Sequence, residues 1–395
     1  MKADSRKETD ALWARHNAEW RDAAQVTSQW QEAAATDPQL LRYKTRGAWW
    51  ETLAEAGITL LVTREYEHMV MALSYAESGP HISYMRLPHP SGLAFDRKRG
   101  VVHLASTRNP NQVYELAPVT GDATRLDVKI ERAFERVLIP VRSQFLPGSL
   151  YLHDLAMVGN VLHGNAVGEN AVVRLKGDGR YERVWWPRAI EIDAGPIFGQ
   201  NYLQLNSIAA GKTIASSYFS ASTESIGARR PGHKNFPVKG RGVIFSGETR
   251  EPLVRGLTRP HSARLHEGRL WVDNSGYGEL ALVEDESFTP VVRLQGWTRG
   301  LCFHRGVAFV GTSRVIPRFQ QYAPGLDVDK SLCGVHAVDV QTGRVLGSLT
   351  WPYGNQIFSV EWLPREFANG FPFAAKARRA LEREKKLFYS FTVQA

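Results

Sequence analysis

The stretch TRPHSARLHEGRLWVDNSGYGELALV, residues 258–283, decides the fold. It holds three short apolar runs, HSARL, LWVDN and ELALV, divided at Glu267-Gly268 and at a glycine-rich turn. Runs of this length bounded by glycine and asparagine read as strands joined by tight turns. The pattern recurs: SGLAF (91–95), HDLAM (153–157), NSIAA (206–210), HSARL (261–265), RGLCF (299–303) and FSVEW (358–362) align as strand starts 38 to 62 residues apart. Five of the six are followed by a turn and a second apolar strand: VVHLAST, VLHGNAV, TIASSYF, LWVDNSG and VAFVGTS. Outer strands such as ENAVVRL, ELALVED and GVHAVDV follow. A multi-strand unit repeating at this period is a propeller blade. Six starts predict an all-β, six-bladed β-propeller. The sixth start has no full blade after it. The β-rich segments GITLLVTREY, HMVMALSY and HISYMRL, within 57–87, are placed to complete that blade and close the ring.

Residues 1–57 read differently. Trp13, His16, Trp20, Ala23, Thr27 and Trp30 fall at alternating spacings of three and four, one stripe of a helix. Asp37-Pro38 reads as an N-cap with proline in the first turn, and Gly57 as the end of a second helix. The expected division is an N-terminal helical extension (1–57) and a propeller (58–395) that includes a C-terminal helix and strand. The tryptophan stripe packs on the body of the chain or, alternatively, forms a homo-oligomer or partner seam.

Composition narrows the function classes. Of the 395 residues 43% are apolar, enough for a large core. Two cysteines, Cys302 and Cys333, make no disulfide framework and no metal-binding CxxC pair. The N-terminus is polar and charged, unlike a signal peptide, and no apolar run has the length of a membrane span. These features point to a cytoplasmic protein with no membrane partner. The net charge of +9 suits an anionic ligand. The basic clusters ARRPGHKNFPVKGR (228–241) and KARRALEREKK (376–386) have no nucleic-acid module beside them, so nucleic acid is not expected. The first cluster reads as a loop, whose closing as a lid the sequence leaves open, and the second as a solvated helix face.

Several segments together resemble a conserved bacterial family of unknown function: PHSARLHEGRLWVDNSGYGEL, GWTRGLCFHRGVAFVGTSRV, CGVHAVDVQTGRVLGSLTW and IFSVEWLP. The resemblance runs from ITLLVTREYEH (58–68) to WLP (362–364) and implies a propeller, with no chemistry attached. LNSIA (205–209) and SSYFSASTESIG (216–227) depart from the family pattern.

The first strand of a propeller blade lines the central channel, so aligned starts should converge on one mouth. The aligned position reads Ser91, His153, Asn206, His261, Arg299 and Phe358; two residues earlier stand His89, Tyr151, Gln204, Arg259, Trp297 and Gln356. Converging imidazoles suggest a divalent metal (zinc, iron or calcium) on His89, His153 and His261. Asp154, Glu169 and Glu361 are candidate general bases. Ser91, Arg108, Asn165, Asn206, Asn274, Arg299 and Arg314 are candidate contacts for a small anionic molecule, since guanidinium forks match oxyanions. AAGKT (209–213) lacks the first glycine of a P-loop, which Asn206 replaces, and no GxSxG or HExxH is present. The expected function is a metal-dependent hydrolase or lyase acting on a small anionic metabolite, with an iron-dependent oxygenase as a variant. The alternative is a non-catalytic propeller that binds a small molecule or peptide and recruits a partner through the N-terminal helices.

Overall fold

A computed structural model describes residues 11, 36–107, 111–122, 136–374 and 391–392. Six sheets form the body, each a blade with one inner strand. Blades 1 to 4 begin with the inner strands Pro90–Asp96, Leu152–Val158, Leu205–Ala209 and Pro260–His266, and each has four strands in sequence order. Blade 5 runs outward from Trp297–His304 and gains an outermost fifth strand, Lys44–Gly47.

Blade 6 joins the two ends of the propeller. Its inner strand Val360–Pro364 pairs antiparallel with Ile58–Arg64, Leu61 opposite Glu361, and Met69–Ala76 and Gly79–Arg86 lie outside. The segment 58–87 therefore completes the sixth blade, as the repeat count requires.

The core lies between the blades. Six apolar clusters fill the six junctions between neighbouring blades. Successive residues of a strand point to opposite faces. Leu60 and Val62 pack toward blade 5 while Leu61 packs toward blade 1. Both faces are covered, so ITLLVTR is buried throughout rather than alternating.

The helical extension is not confirmed. The described part of it forms two short helices, Pro38–Leu41 and Trp49–Ala56. Asp37 caps the first by accepting from the Gln39 N–H, and Gly57 ends the second in the left-handed region (φ 64°). Trp49 is fully buried, edge-on to Phe309 of blade 5. The tryptophan stripe of 13–30 and the basic segment 376–386 lie outside the described residues. Phe391–Thr392 pairs with Gly121–Asp122. Among the described residues no helix is long and apolar enough to cross a membrane.

Candidate functional site at the channel mouth

The six inner strands begin on one face, where their first residues meet. The backbone there breaks the simple pleat in two ways. His89, Tyr151, Gln204 and Arg259, at equivalent positions in blades 1 to 4, all hold φ between 45° and 55°. Left-handed backbone at non-glycine residues is uncommon and costs energy, and here it recurs four times at one site. Directly after it, the pairing of inner and second strand slips in blades 1 to 5, between Pro90 and Leu93, Leu152 and Asp154, Leu205 and Ser207, His261 and Arg264, and Thr298 and Leu301. Such a bulge re-aims the side chains around it.

The consequence is a division of labour between the two aligned rings. Ser91 donates to the Leu152 carbonyl of the next blade at 2.7 Å, and Asn206 donates to Pro260 O at 2.8 Å. Both tie blade to blade. The ring two residues earlier carries much of the mouth's polar network. Arg259 Nη1 donates to Gln204 Oε1 at 2.7 Å, Ser222 Oγ at 3.3 Å and Pro231 O at 3.4 Å. Its guanidinium lies over the Tyr322 ring, 4.0 Å from the centroid. Gln356 accepts from Arg299 Nη1 at 2.6 Å and donates to Glu65 Oε2 at 3.2 Å. Arg299 lies over the Phe358 ring at 3.3 Å, and His153 meets the same ring edge-on at 5.4 Å. Both arginines are buried, and desolvation pushes each guanidinium pKa down to about 10, so both stay charged at neutral pH.

His261 sits between these cations. Its Nδ1 faces Arg259 O at 2.9 Å and Ser275 Oγ at 3.1 Å, and its ring is edge-on to Trp297 at 5.0 Å. A ring nitrogen facing a carbonyl carries the proton, so Nε2 keeps its lone pair. Burial, then the charges of Arg299 and Arg259, then His153, hold its pKa well below the ordinary histidine value. Asp273, opposite it in the sheet register, is fully buried, and desolvation holds its carboxyl well above the ordinary range.

The expected metal triad is not assembled. His89 lies with His68, ring centroids 4.5 Å apart, and its Nδ1 is 4.0 Å from Glu65 Oε1. His153 meets Phe358 and His261 meets Trp297, Arg259 O and Ser275 Oγ. Among the described residues no three His, Cys, Asp or Glu side chains gather as a metal-holding group. Two guanidiniums beside His261 also oppose a cation there. The donor set does not fit a divalent metal.

The expected bases are also occupied. Asp154 accepts from Arg264 Nη1 and Nη2 (2.8 and 3.1 Å) and from the Ile208 and Leu155 N–H groups. Glu361 accepts from the Trp362 N–H at 2.9 Å, and burial raises its pKa. Glu169 accepts from Arg183 on the outermost strand of blade 2. Asn165 bridges to the next blade, facing Leu205 O and Ser207 N at 3.1 Å. Asn274 accepts from the Thr258 N–H and donates to Glu279, and Arg314 donates to Pro352 O. Arg108 lies outside the described residues. The loop 228–241 buries Phe236 and Val238 in a cluster with Trp297 and Tyr322. Sequence reasoning did not single out Glu65 or Tyr322. A signal for Glu65 existed: EYEH, VGEN and SGYG form the same short turn between second and third strands of blades 6, 2 and 4.

The chain belongs to the family described as Domain of unknown function (DUF4915), whose model matches residues 47–369. No curated protein matches the sequence. Among solved structures, a chain of a nidogen/laminin complex is similar at 9% identity and a TM-score of 0.51, covering 78% of this chain and 99% of that one. A gluconolactonase from Xanthomonas campestris is similar at 14% identity and a TM-score of 0.42, covering 75% and 86%. The first likeness is one of fold.

Proposed function

Taking the chain as a member of that family, whose description assigns no activity, we propose from its site alone that the channel mouth binds a small anionic molecule through Arg259 and Arg299. One observation carries this. Each guanidinium is buried, laid on an aromatic ring and tethered through Nη1, to Gln204 and to Gln356. Among the described residues neither has an ion pair, and neither has a partner on its Nε–Nη2 edge; Arg259 Nε is buried with no hydrogen bond. That edge is the fork that takes a carboxylate or phosphate in two parallel bonds. Burying a cation without a partner is costly. A ligand anion would offset that cost.

Turnover is the second reading, and His261 favours it. A neutral imidazole with an unshared Nε2 lone pair, beside a bound anion, is placed to take a proton from a water or from a carbon next to an acidic group. That is the step a hydrolase or a lyase needs. The base in this reading is His261, with Arg299 and Arg259 holding the substrate. The metal set His89, His153 and His261 has no part in it.

The test is thermal unfolding with and without acetate, succinate or inorganic phosphate, in the parent and in Arg299→Met. A ligand at one hundred times its Kd stabilises by about 2.7 kcal/mol. The parent should melt several degrees higher with at least one anion. Arg299→Met, which replaces an unpaired buried cation with an apolar chain, should melt no lower than the parent without anion and lose the anion response. A parent indifferent to every anion would reject the proposal.

A further inference from the structure

The two forks are held by different elements of the mouth. Arg299 stands in the bulge of its inner strand and lies on Phe358, the aligned residue of the next blade. Arg259 stands two residues before the aligned position of blade 4, in left-handed backbone (φ 55°). It lies over the Tyr322 ring and bonds Pro231, both in connections that join second and third strands on this face. One guanidinium therefore packs on the aligned residue of the next blade and the other on two connections between second and third strands. Each has its own glutamine tether and its own ring, so the two planes are set independently. Glu65 bonds Thr107 and Gln356, and its charge acts on Arg299 with Gln356 between them. Asp154 is committed to Arg264. Among the described residues the two Nε–Nη2 edges thus have no hydrogen-bond partner, and their separate tethers and rings suit two oxyanions better than one shared group. His261 feels the charge of both.

We propose that the ligand is an elongated dianion with an oxyanion at each end, one on Arg299 beside Phe358 and the other on Arg259 beside Tyr322. This rests on the anion site proposed above and adds the number of its charges. Gln204 and Gln356 are then positioning residues that aim the two forks.

The experiment is calorimetric titration of the full chain at fixed ionic strength and pH 7.5. The probes are malonate, succinate, glutarate and adipate, the monocarboxylates of equal carbon number, and inorganic phosphate. One dicarboxylate length should bind at least tenfold tighter than its monocarboxylate. Arg259→Gln and Arg299→Gln should each reduce that dicarboxylate to the monocarboxylate's affinity. Arg259→Lys and Arg299→Lys keep the charge and lose the fork; each should also lose tenfold or more while keeping the parent's near-ultraviolet circular dichroism. Equal affinity for mono- and dicarboxylates would overturn the proposal and leave the anion site standing. So would phosphate binding tighter than every dicarboxylate and needing both arginines, the signature of one bridging oxyanion. No binding of any probe to the parent would reject the anion site, and this inference with it.

Discussion

Arg264 and Arg299 show at the scale of one residue why burial alone does not mark a binding group. Both are arginines on inner strands. Arg264 gives both terminal nitrogens to Asp154, and the carboxylate raises its pKa above the ordinary value. Arg299 has no such partner, and its pKa falls. The sequence showed two arginines and not their partners, because pairing is set by which strands the ring brings together. Histidines follow the same logic. His336 is buried between Thr312 Oγ1 (2.9 Å) and Ser348 Oγ (2.7 Å), and desolvation lowers its pKa to about 4. Above the unfolded value of about 6.5 both states are neutral, and the full stability is present. Below it the unfolded chain takes a proton that the folded chain refuses, so this group costs stability as pH falls toward 4. The slope from one proton is about 1.4 kcal/mol per pH unit. Urea unfolding of His336→Asn between pH 6.5 and 4.5 should show a slope smaller by that amount. An unchanged slope would mean that His336 is protonated in the folded protein. The two thiols are shifted in the opposite sense: burial pushes Cys333 up to about 12 and Cys302 well above its ordinary value, so both stay protonated at neutral pH.

At the scale of the strand, the aligned starts were legible and their facing was not. Strict alternation assumes a continuous pleat, and the bulge in five inner strands breaks it at the very position the alignment singled out. Ser91 and Asn206, expected in a pocket, bond the next blade, while Arg259, Gln204 and Gln356 form the network at the mouth. The bulge depends on close approach. A Cβ on Gly92 would overlap the backbone of Asp154 and Leu155 in the next blade. Gly92→Ala should therefore cost about 3 kcal/mol in urea unfolding. Gly232→Ala, where the added carbon meets nothing within 4 Å, should cost within about 0.5 kcal/mol of zero. Equal effects would mean that the inner strands separate without penalty.

At the scale of the whole molecule, counting strands sufficed. Six starts with five complete blades leave one blade short, and the segment before the first start is placed to supply it. The structure closes in that way, with Ile58–Arg64 against Val360–Pro364. Each blade buries its faces only against two neighbours, so an open ring would expose two apolar faces. Closure also creates the site. Arg299 comes from blade 5, its glutamine tether and ring from the segment entering blade 6, and Glu65 from the turn after the first N-terminal strand of that blade. Residues almost three hundred positions apart meet there, roughly the span from Glu65 to Gln356. No local motif could have announced it.

The two guanidiniums of the mouth, Arg259 and Arg299, are the proposed oxyanion site. The most direct measurement is a crystal of the protein soaked in selenate, mapped by anomalous scattering. The account predicts a selenium peak with its oxygens within hydrogen-bond reach of Nε and Nη2 of Arg259 or Arg299. Peaks confined to the exposed basic side chains of the loop 228–241, with nothing at the two forks, would contradict it.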